Sequence, residues 1–195
     1  MYNPNNITTS LNRLANRIPL HFFDMQQVLG GEGLAIARML DEQEKRSLNV
    51  VIDEAMSTQL TLRAVNNQEC ERMLPEALCS LLKQSVGGQP LESTVYAIHK
   101  GQYQVMLLNR LNYLSVPIRI SDAILLSVTG DVPFYVDTQL MANQCTVFDR
   151  DAQGVGLPIN TLDSQRLNEL LEKAISEENY ELAAHVRDEL EQRKE

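Results

Sequence analysis

Apolar residues recur at helical spacing in two short stripes near the end of the chain, on either side of the charged turn 177–179. Each stripe lies on one side of a helix whose other side is charged, so the pattern predicts a helical hairpin over 161–195. Two helices this short are marginal alone, so the hairpin needs a surface on its own chain, on a second copy or on another protein. The residues that we predict to bind a partner are Leu167, Leu170, Leu171, Tyr180, Ala183, Val186 and Leu190.

Residues 18–148 carry a mixture of strand and helix patterns and are predicted to form the main domain. Strands are predicted over 18–28, 34–40, 47–52, 93–98, 102–108, 116–120 and 132–136, and helices over 54–65, 72–86 and 123–128. Because this order mixes hairpins with helices, we predict an α+β fold in which a largely antiparallel or mixed sheet packs with helices. Residues 1–17 are predicted to be an N-terminal extension, and 149–160, which lack periodicity, a linker.

The pattern also predicts how individual helices and strands are oriented. Ser121 is expected to cap the helix that follows the strand over 116–120, with Asp122 in its first turn against the helix dipole. Pro117 places the start of that strand at a sheet edge. The stripe of the helix over 72–86 that we expect to face the core consists of Leu74, Ala77, Leu78, Leu81, Leu82 and Ser85.

Charge limits the partners that the sequence favours. The net charge is −9, and residues 161–195 contribute ten acidic and five basic side chains, hence −5, which leaves −4 for residues 1–160. Neither part has the basic face that gives non-specific affinity for nucleic-acid phosphates. Tight non-specific binding is therefore disfavoured, whereas a local positive patch or a bound metal stays open.

Cysteine usage and hydropathy indicate the compartment. Cys70, Cys79 and Cys145 form no CxxC pair and no Cys/His spacing fit for zinc, so we expect buried free thiols in a reducing cytosol. The first residues lack the basic-then-apolar order of a signal peptide, and no apolar run reaches the roughly 20 residues of a membrane span. We therefore expect a cytoplasmic protein that does not enter a membrane.

The terminal hairpin resembles the UVR motif, the helical hairpin found near the C-terminus of UvrB and within UvrC. The matching positions are Leu170, Ala174, the run Tyr180-Glu181-Leu182-Ala183-Ala184 and the run Arg187-Asp188-Glu189-Leu190. In that family the motif mediates protein–protein contact, often by pairing with another copy of itself. The resemblance therefore implies a protein partner, while a plain helical hairpin docked on its own domain stays an alternative.

The larger part of the chain resembles the bifunctional nuclease (BFN) family over about residues 18–145. The matching segments are Ile118-Arg119-Ile120-Ser121-Asp122-Ala123-Ile124, Val132-Pro133-Phe134-Tyr135-Val136, and Lys45-Arg46-Ser47-Leu48 running into Val50-Val51-Ile52. Plant members are linked to RNase and DNase activity, and many bacterial members join this domain to a UVR motif. The resemblance implies a nuclease acting on DNA or RNA, and a homo-oligomer.

One departure from the family bears on catalysis. The family opens one helix with Arg-Pro-Leu-Thr-His-Asp-Leu, and the corresponding segment here begins at Arg72 and ends at Leu78. The His and Asp positions, the family's most obvious proton-transfer or metal-ligand candidates, hold Glu76 and Ala77. A catalytically inactive BFN-like scaffold that acts as a protein-interaction adaptor is therefore the alternative to a nuclease.

Phosphodiester hydrolysis needs an activated water and positive charge around the phosphate, which carboxylates holding Mg²⁺ or Mn²⁺ commonly supply. Asp122 is the first candidate carboxylate, with Arg119 and Ser121 beside it at a helix start that favours anions. Arg46 and Arg72 are candidate phosphate-binding residues. A structural role for Asp122 in its own helix is the alternative. Weaker acidic candidates are Asp53, Glu54 and Glu76, and no organic cofactor is expected.

Overall fold

The computed structural model describes residues 16–28, 33–65, 68–150 and 158–193. Nearly all of the predicted N-terminal extension, the break at 30–32 and much of the predicted linker lie outside the described residues. No helix within these ranges is both long enough and apolar enough to cross a membrane.

The described residues form eight strands in one mixed sheet, which confirms the predicted α+β class. The strands are β1 (Arg17–Gln27), β2 (Ala35–Asp41), β3 (Arg46–Ile52), β4 (Leu91–His99), β5 (Gln102–Asn109), β6 (Ser115–Ile118), β7 (Phe134–Asp137) and β8 (Thr146–Val147). Their order across the sheet is β6-β5-β4-β7-β1-β2-β3-β8. Neighbouring strands are antiparallel except β4 and β7, which run parallel. Strand β6, which contains Pro117, lies at an edge as expected.

The described ranges contain six α-helices and two short 3-10 helices. The α-helices are α1 (Glu54–Ala64), α2 (Leu74–Val86), α3 (Ile120–Gly130), α4 (Thr138–Gln144), α5 (Ser164–Ser176) and α6 (Tyr180–Gln192), and the 3-10 helices are Gln68–Arg72 and Ile159–Thr161. Side chains at the caps explain where several of them begin. Asp53 accepts a hydrogen bond from the backbone of Met56 at the start of α1, and Asp163 accepts one from Arg166 at the start of α5.

The main core lies between the sheet and the helices α1, α3 and α4. Helix α3 is the most deeply placed, because Ala123 and Ile124 in its first half are fully buried. Alternate residues of the strands point toward it, as the two-residue period of a strand requires. Fully buried core residues include Ala37, Met39, Leu48, Val95, Val136 and Met141.

Helix α2 does not face the core as predicted. Cys79 is its buried residue, and it lies against Gly130 at the end of α3. A Cβ atom on Gly130 would overlap the Cys79 sulfur, so the two backbones approach too closely for a leucine between them. The prediction is wrong for the exposed members of the stripe, which are Leu74, Ala77, Leu78, Leu81 and Ser85, whereas Leu82 is half-buried.

Ser121 does not cap α3. The helix begins three residues earlier than predicted, at Ile120, and its N-cap position is occupied by Arg119, whose side chain makes no cap hydrogen bond. Ser121 therefore lies inside the first turn.

The predicted free thiols are present: Cys70 and Cys79 are buried, Cys145 is half-buried, and burial raises the pKa of the Cys79 and Cys145 thiols.

The terminal hairpin packs against the β4–β5 turn of its own chain. Asn160 Nδ2 donates to Gly101 O at 2.9 Å, and Arg193 Nη2 donates to Asn160 O at 2.8 Å. Arg193 Nε also donates to the buried carboxylate of Glu189 at 2.8 Å. Burial, and then the charge of Glu189, raises the pKa of the Tyr103 hydroxyl, which donates to Asn160 Oδ1 at 3.4 Å. Asn160 thus joins the start of the hairpin region to the turn, and Arg193 joins the end of the hairpin to Asn160.

Candidate active site

Arg119 and Asp122 form an ion pair at the junction between edge strand β6 and helix α3. Arg119 Nε donates to Asp122 Oδ2 at 2.7 Å, and Arg119 Nη2 donates to Asp122 Oδ1 at 2.9 Å. The Arg119 side chain is 71% exposed and that of Asp122 33%, so the pair is open to solvent. The helical spacing of three residues places the two groups on one side of the first turn.

The start of α1 lies close enough to this pair to affect it. The hydrogen bonds that Arg119 donates to Asp122, then the charge of Asp122, and then the charge of Asp53 raise the pKa of Arg119. Asp53 is the N-cap of α1 and accepts from Met56 N at 2.8 Å. Two helix starts therefore carry a carboxylate near the same guanidinium.

The arrangement leaves hydrogen-bond donors for an anion. An arginine has five N–H donors in a rigid fork, and the bonds to Asp122 use those on Nε and one on Nη2, so the edge with Nη1 faces elsewhere. The first turn of α3 adds backbone amides, because the first bond along the helix runs from Ala123 N to Arg119 O. Backbone amides and a guanidinium at one helix start suit a phosphate group.

The residues do not form a ready-made site for Mg²⁺ or Mn²⁺. Within the described ranges no three or more His, Cys, Asp and Glu side chains converge in a way that could hold a metal ion. A cation at Asp122 would also compete with Arg119, which occupies both carboxylate oxygens. The divalent ion expected from the sequence therefore has no set of ligands among the residues that the structure describes.

Arg46 lies away from this pair. It begins β3, whereas Asp53 follows the other end of that strand, roughly 20 Å away at about 3.4 Å per residue. Arg46 Nε donates to the buried Asp41 at 2.9 Å. Burial alone raises the pKa of Asp41, but hydrogen bonds from the Lys45 and Arg46 backbones and from the Arg46 side chain outweigh it, so the pKa lies below its usual value. This contact holds the β2–β3 turn.

The positions that correspond to the family's His and Asp have structural surroundings. Glu76 accepts from Arg63 Nη2 at 2.9 Å, which joins α2 to α1, and Ala77 is exposed. Arg72 is exposed at the end of its 3-10 helix. The acid at position 76 therefore serves an interhelical ion pair.

Comparison with known families agrees with both parts of this structure. A family model described as the bifunctional nuclease domain matches residues 39–149, more than half of the chain. The chain belongs to the bifunctional nuclease family. A second model, described as the UvrB/uvrC motif, matches residues 165–195, so the order of BFN domain and UVR motif is confirmed. No curated protein matches the chain. The BFN match begins within β2 and ends beyond β8, and it includes the Arg119–Asp122 pair.

The UVR motif buries part of its predicted partner-binding set. Leu167 and Val186 are fully buried, and Ala183 is nearly so, where the two helices face each other. Leu170, Leu171 and Leu190 are half-buried, while Tyr180 is exposed. In this arrangement a partner reaches Tyr180 directly but does not reach Leu167 or Val186 unless the hairpin opens.

Proposed function

We propose that the BFN domain hydrolyses phosphodiester bonds in DNA or RNA, and that the reaction takes place at the start of α3. The observation that carries the proposal is the solvent-exposed, two-point Arg119–Asp122 pair at a helix N-terminus, within the part of the chain that matches the nuclease family. We favour single-stranded substrates, because the acidic chain lacks a broad basic face for a duplex.

Each side chain of the pair has a definite task. Arg119 binds a non-bridging phosphate oxygen through its free edge, and the first-turn amides of α3 add further donors. Asp122 holds the guanidinium in place on its other edge. Its remaining lone pairs accept a hydrogen bond from the attacking water, so Asp122 also serves as the general base. The water oxygen forms a bond to phosphorus as its proton passes to Asp122. The P–O bond to the leaving oxygen breaks, and that oxygen takes a proton from the solvent.

Replacing Asp122 by Asn is expected to lower kcat/KM for cleavage of a single-stranded oligonucleotide by roughly 10- to 100-fold. Asparagine keeps an acceptor for Arg119, but it cannot accept a proton from the attacking water, so the general-base contribution to the rate is lost. Cleavage is measured with Mg²⁺, with Mn²⁺ and with EDTA, which also tests the predicted requirement for a divalent ion.

Glu44→Gln is the matched control, because Glu44 forms an exposed 2.6 Å ion pair with Arg150 at the β2–β3 turn. It changes the net charge by the same amount and should cleave like the wild type. Equal rates for the Asp122 variant and the wild type under every ion condition would reject the catalytic assignment of Asp122.

A second function, that of a self-assembling scaffold, is favoured by the exposed face of α2. Leu74 and Leu81 are 71% and 64% exposed, and Leu78 lies between them on the same face. The neighbouring positions Ala77 and Ser80 carry no charge. On a chain of net charge −9, two copies meet with least repulsion across such a neutral strip, so we propose that α2 packs against α2 of a second copy.

The double variant Leu74→Gln/Leu81→Gln is expected to convert a concentration-dependent dimer into a monomer. Its melting temperature should match that of the wild-type monomer, because both leucines are exposed within one chain. Light scattering coupled to size-exclusion chromatography measures the mass, with Leu114→Gln in the exposed β5–β6 turn as control. A wild type that stays monomeric up to high concentration would contradict this contact.

A further inference from the structure

A pocket separate from the candidate active site lies on the side of the sheet that faces away from α3. Arg17, Glu92 and Tyr135 alternate along their strands with the core residues Val95 and Val136, so they lie on the opposite face. The cavity has a volume of about 530 Å³ and is also lined by residues of the β5–β6 turn. Volumes of roughly 300–1,000 Å³ are typical of small-molecule sites.

The floor of this pocket is formed by an ion pair that stacks on an aromatic ring. Glu92 is 3% exposed, and Arg17 donates to its two oxygens at 2.6 and 3.1 Å. Arg17 also donates to Thr94 Oγ1 at 3.3 Å and stacks over the Tyr135 ring, with its guanidinium carbon 3.8 Å from the ring centre. These contacts use three of the five N–H donors of Arg17 and fix its orientation, so its role is to hold the pocket in shape.

Two exposed side chains of the β5–β6 turn supply the binding groups. Arg110 is 59% exposed, and its guanidinium lies 3.8 Å from Glu92, too far for a hydrogen bond, so its donors are available. Tyr113 is 56% exposed and has a backbone φ of 56°. Such a conformation is uncommon for a tyrosine and here presents the ring at the pocket mouth. With two guanidinium groups against one carboxylate, the pocket carries one net positive charge.

We infer that this pocket binds a nucleoside phosphate. Arg110 pairs with the phosphate, and the Tyr113 ring stacks on the base, because base stacking on tyrosine combined with arginine contacts is how single-stranded nucleic acids are held. A divalent cation is repelled by the positive charge, and an apolar ligand leaves Arg110 unpaired. The same chemistry is offered by a free nucleotide and by one nucleotide of a strand.

This binding site deepens the proposed function. It rests on that function only where the ligand is one nucleotide of a nucleic-acid strand, and not where the ligand is a free nucleotide. Strand β6 runs from the β5–β6 turn to Arg119, a distance of roughly 15 Å for four or five extended residues. Because β6 is an exposed edge strand, an oligonucleotide that passes round it reaches both Arg110 and Arg119. The pocket would then hold the substrate at a point removed from the bond that is cut.

The test is binding of AMP and of a short single-stranded oligonucleotide to the full chain, measured by calorimetry. AMP contains no phosphodiester bond, so its binding does not depend on hydrolysis. Arg110→Gln and Tyr113→Asn should each weaken AMP binding at least 10-fold, and asparagine tolerates the positive φ at position 113. Arg166→Gln is the control, because Arg166 is equally exposed beside an acidic residue on α5 and should leave binding unchanged.

Parallel loss of AMP and oligonucleotide affinity in the two pocket variants supports a strand-binding pocket, and loss for AMP alone supports a free-nucleotide pocket. If the wild type binds neither probe, or if both pocket variants bind like the control, the inference is overturned. Thermal unfolding verifies that the variants are folded. If the chain does not hydrolyse the oligonucleotide but binds AMP in a way that needs Arg110, the proposed nuclease is refuted and the pocket is supported. If the chain hydrolyses the oligonucleotide but Arg110→Gln leaves AMP binding unchanged, the pocket is refuted and the nuclease is supported.

Discussion

Replacing Glu92 by Ala is expected to lower the free energy of unfolding by about 3–5 kcal/mol, the range for removal of one partner of a buried ion pair. The Glu92 side chain is 4% exposed and that of Arg17 is 17% exposed, so the change leaves a cation with little access to water. Arg17 would also lose the contact that keeps it over Tyr135. Since the pair joins β1 to β4 across β7, the loss weakens the middle of the sheet.

Urea unfolding followed by circular dichroism measures this effect. Asp131→Asn is the control, because Asp131 forms a 2.8 Å ion pair with Lys83 but is almost fully exposed, and exposed pairs contribute about 0–1 kcal/mol. Asparagine also tolerates the φ of 50° at this position. Glu92→Gln should fall between the two, because the amide keeps an acceptor for Arg17. If Glu92→Ala and Asp131→Asn lowered the stability equally, the structural importance of the Arg17–Glu92 pair would be refuted.

Replacing Gly101 by Ala is expected to release the terminal hairpin from the body. Gly101 has a φ of 75°, and a Cβ atom there would lie 2.7 Å from the Asn160 carbonyl oxygen. That oxygen accepts from Arg193, and the Asn160 side chain donates to Gly101 O, so the hairpin cannot move aside without breaking both bonds. Hydrogen exchange in α5 and α6 should become at least 10-fold faster, which corresponds to a loss of about 1.4 kcal/mol or more.

Gly87→Ala separates backbone strain from this contact. Gly87 has a φ of 72°, almost the same as Gly101, but a Cβ atom there would have no neighbour within 4 Å. Both variants carry the cost of a left-handed alanine, about 1–2 kcal/mol, and only Gly101→Ala also disturbs the hairpin. Equal exchange rates of α5 and α6 in the two variants would show that docking does not depend on the β4–β5 turn.

The same experiment bears on the proposed division of the chain. We propose that residues 18–148 and 161–195 are separate folding units joined by 149–160. The hairpin then loosens in Gly101→Ala while the sheet keeps its protection.

Local sequence patterns predicted the features that depend on neighbouring residues. The β2–β3 hairpin, α1 and the two terminal helices follow from periodicity and turn residues, and the edge position of β6 follows from Pro117. The sequence placed Arg119 and Asp122 beside each other at a helix start, and in the structure their spacing of three residues brings them together as a pair. Each of these features depends on contacts between residues that are close together in the chain, so the local sequence pattern predicts them.

Long-range contacts account for what the patterns missed. The leucine stripe of α2 is amphipathic, but Gly130 brings α3 so close that the smaller Cys79 faces inward and the leucines face solvent. The Arg17–Glu92 pair joins residues 75 positions apart, and nothing local indicates it. Asp53 approaches Arg119 only because the sheet brings two helix starts together. Positions of this kind depend on the packing of separate elements.

The most direct test of the account is the cleavage rate of a labelled single-stranded oligonucleotide by the purified full chain and by two arginine variants. Arg119→Ala removes the proposed phosphate-binding group, and Arg150→Ala removes an arginine of similar exposure, which follows β8 and pairs with Glu44 of the β2–β3 turn. The account predicts cleavage by the wild type and by Arg150→Ala, and at least a 100-fold lower rate for Arg119→Ala. Absence of cleavage by the wild type with Mg²⁺, with Mn²⁺ and with EDTA, or undiminished cleavage by Arg119→Ala, would contradict it.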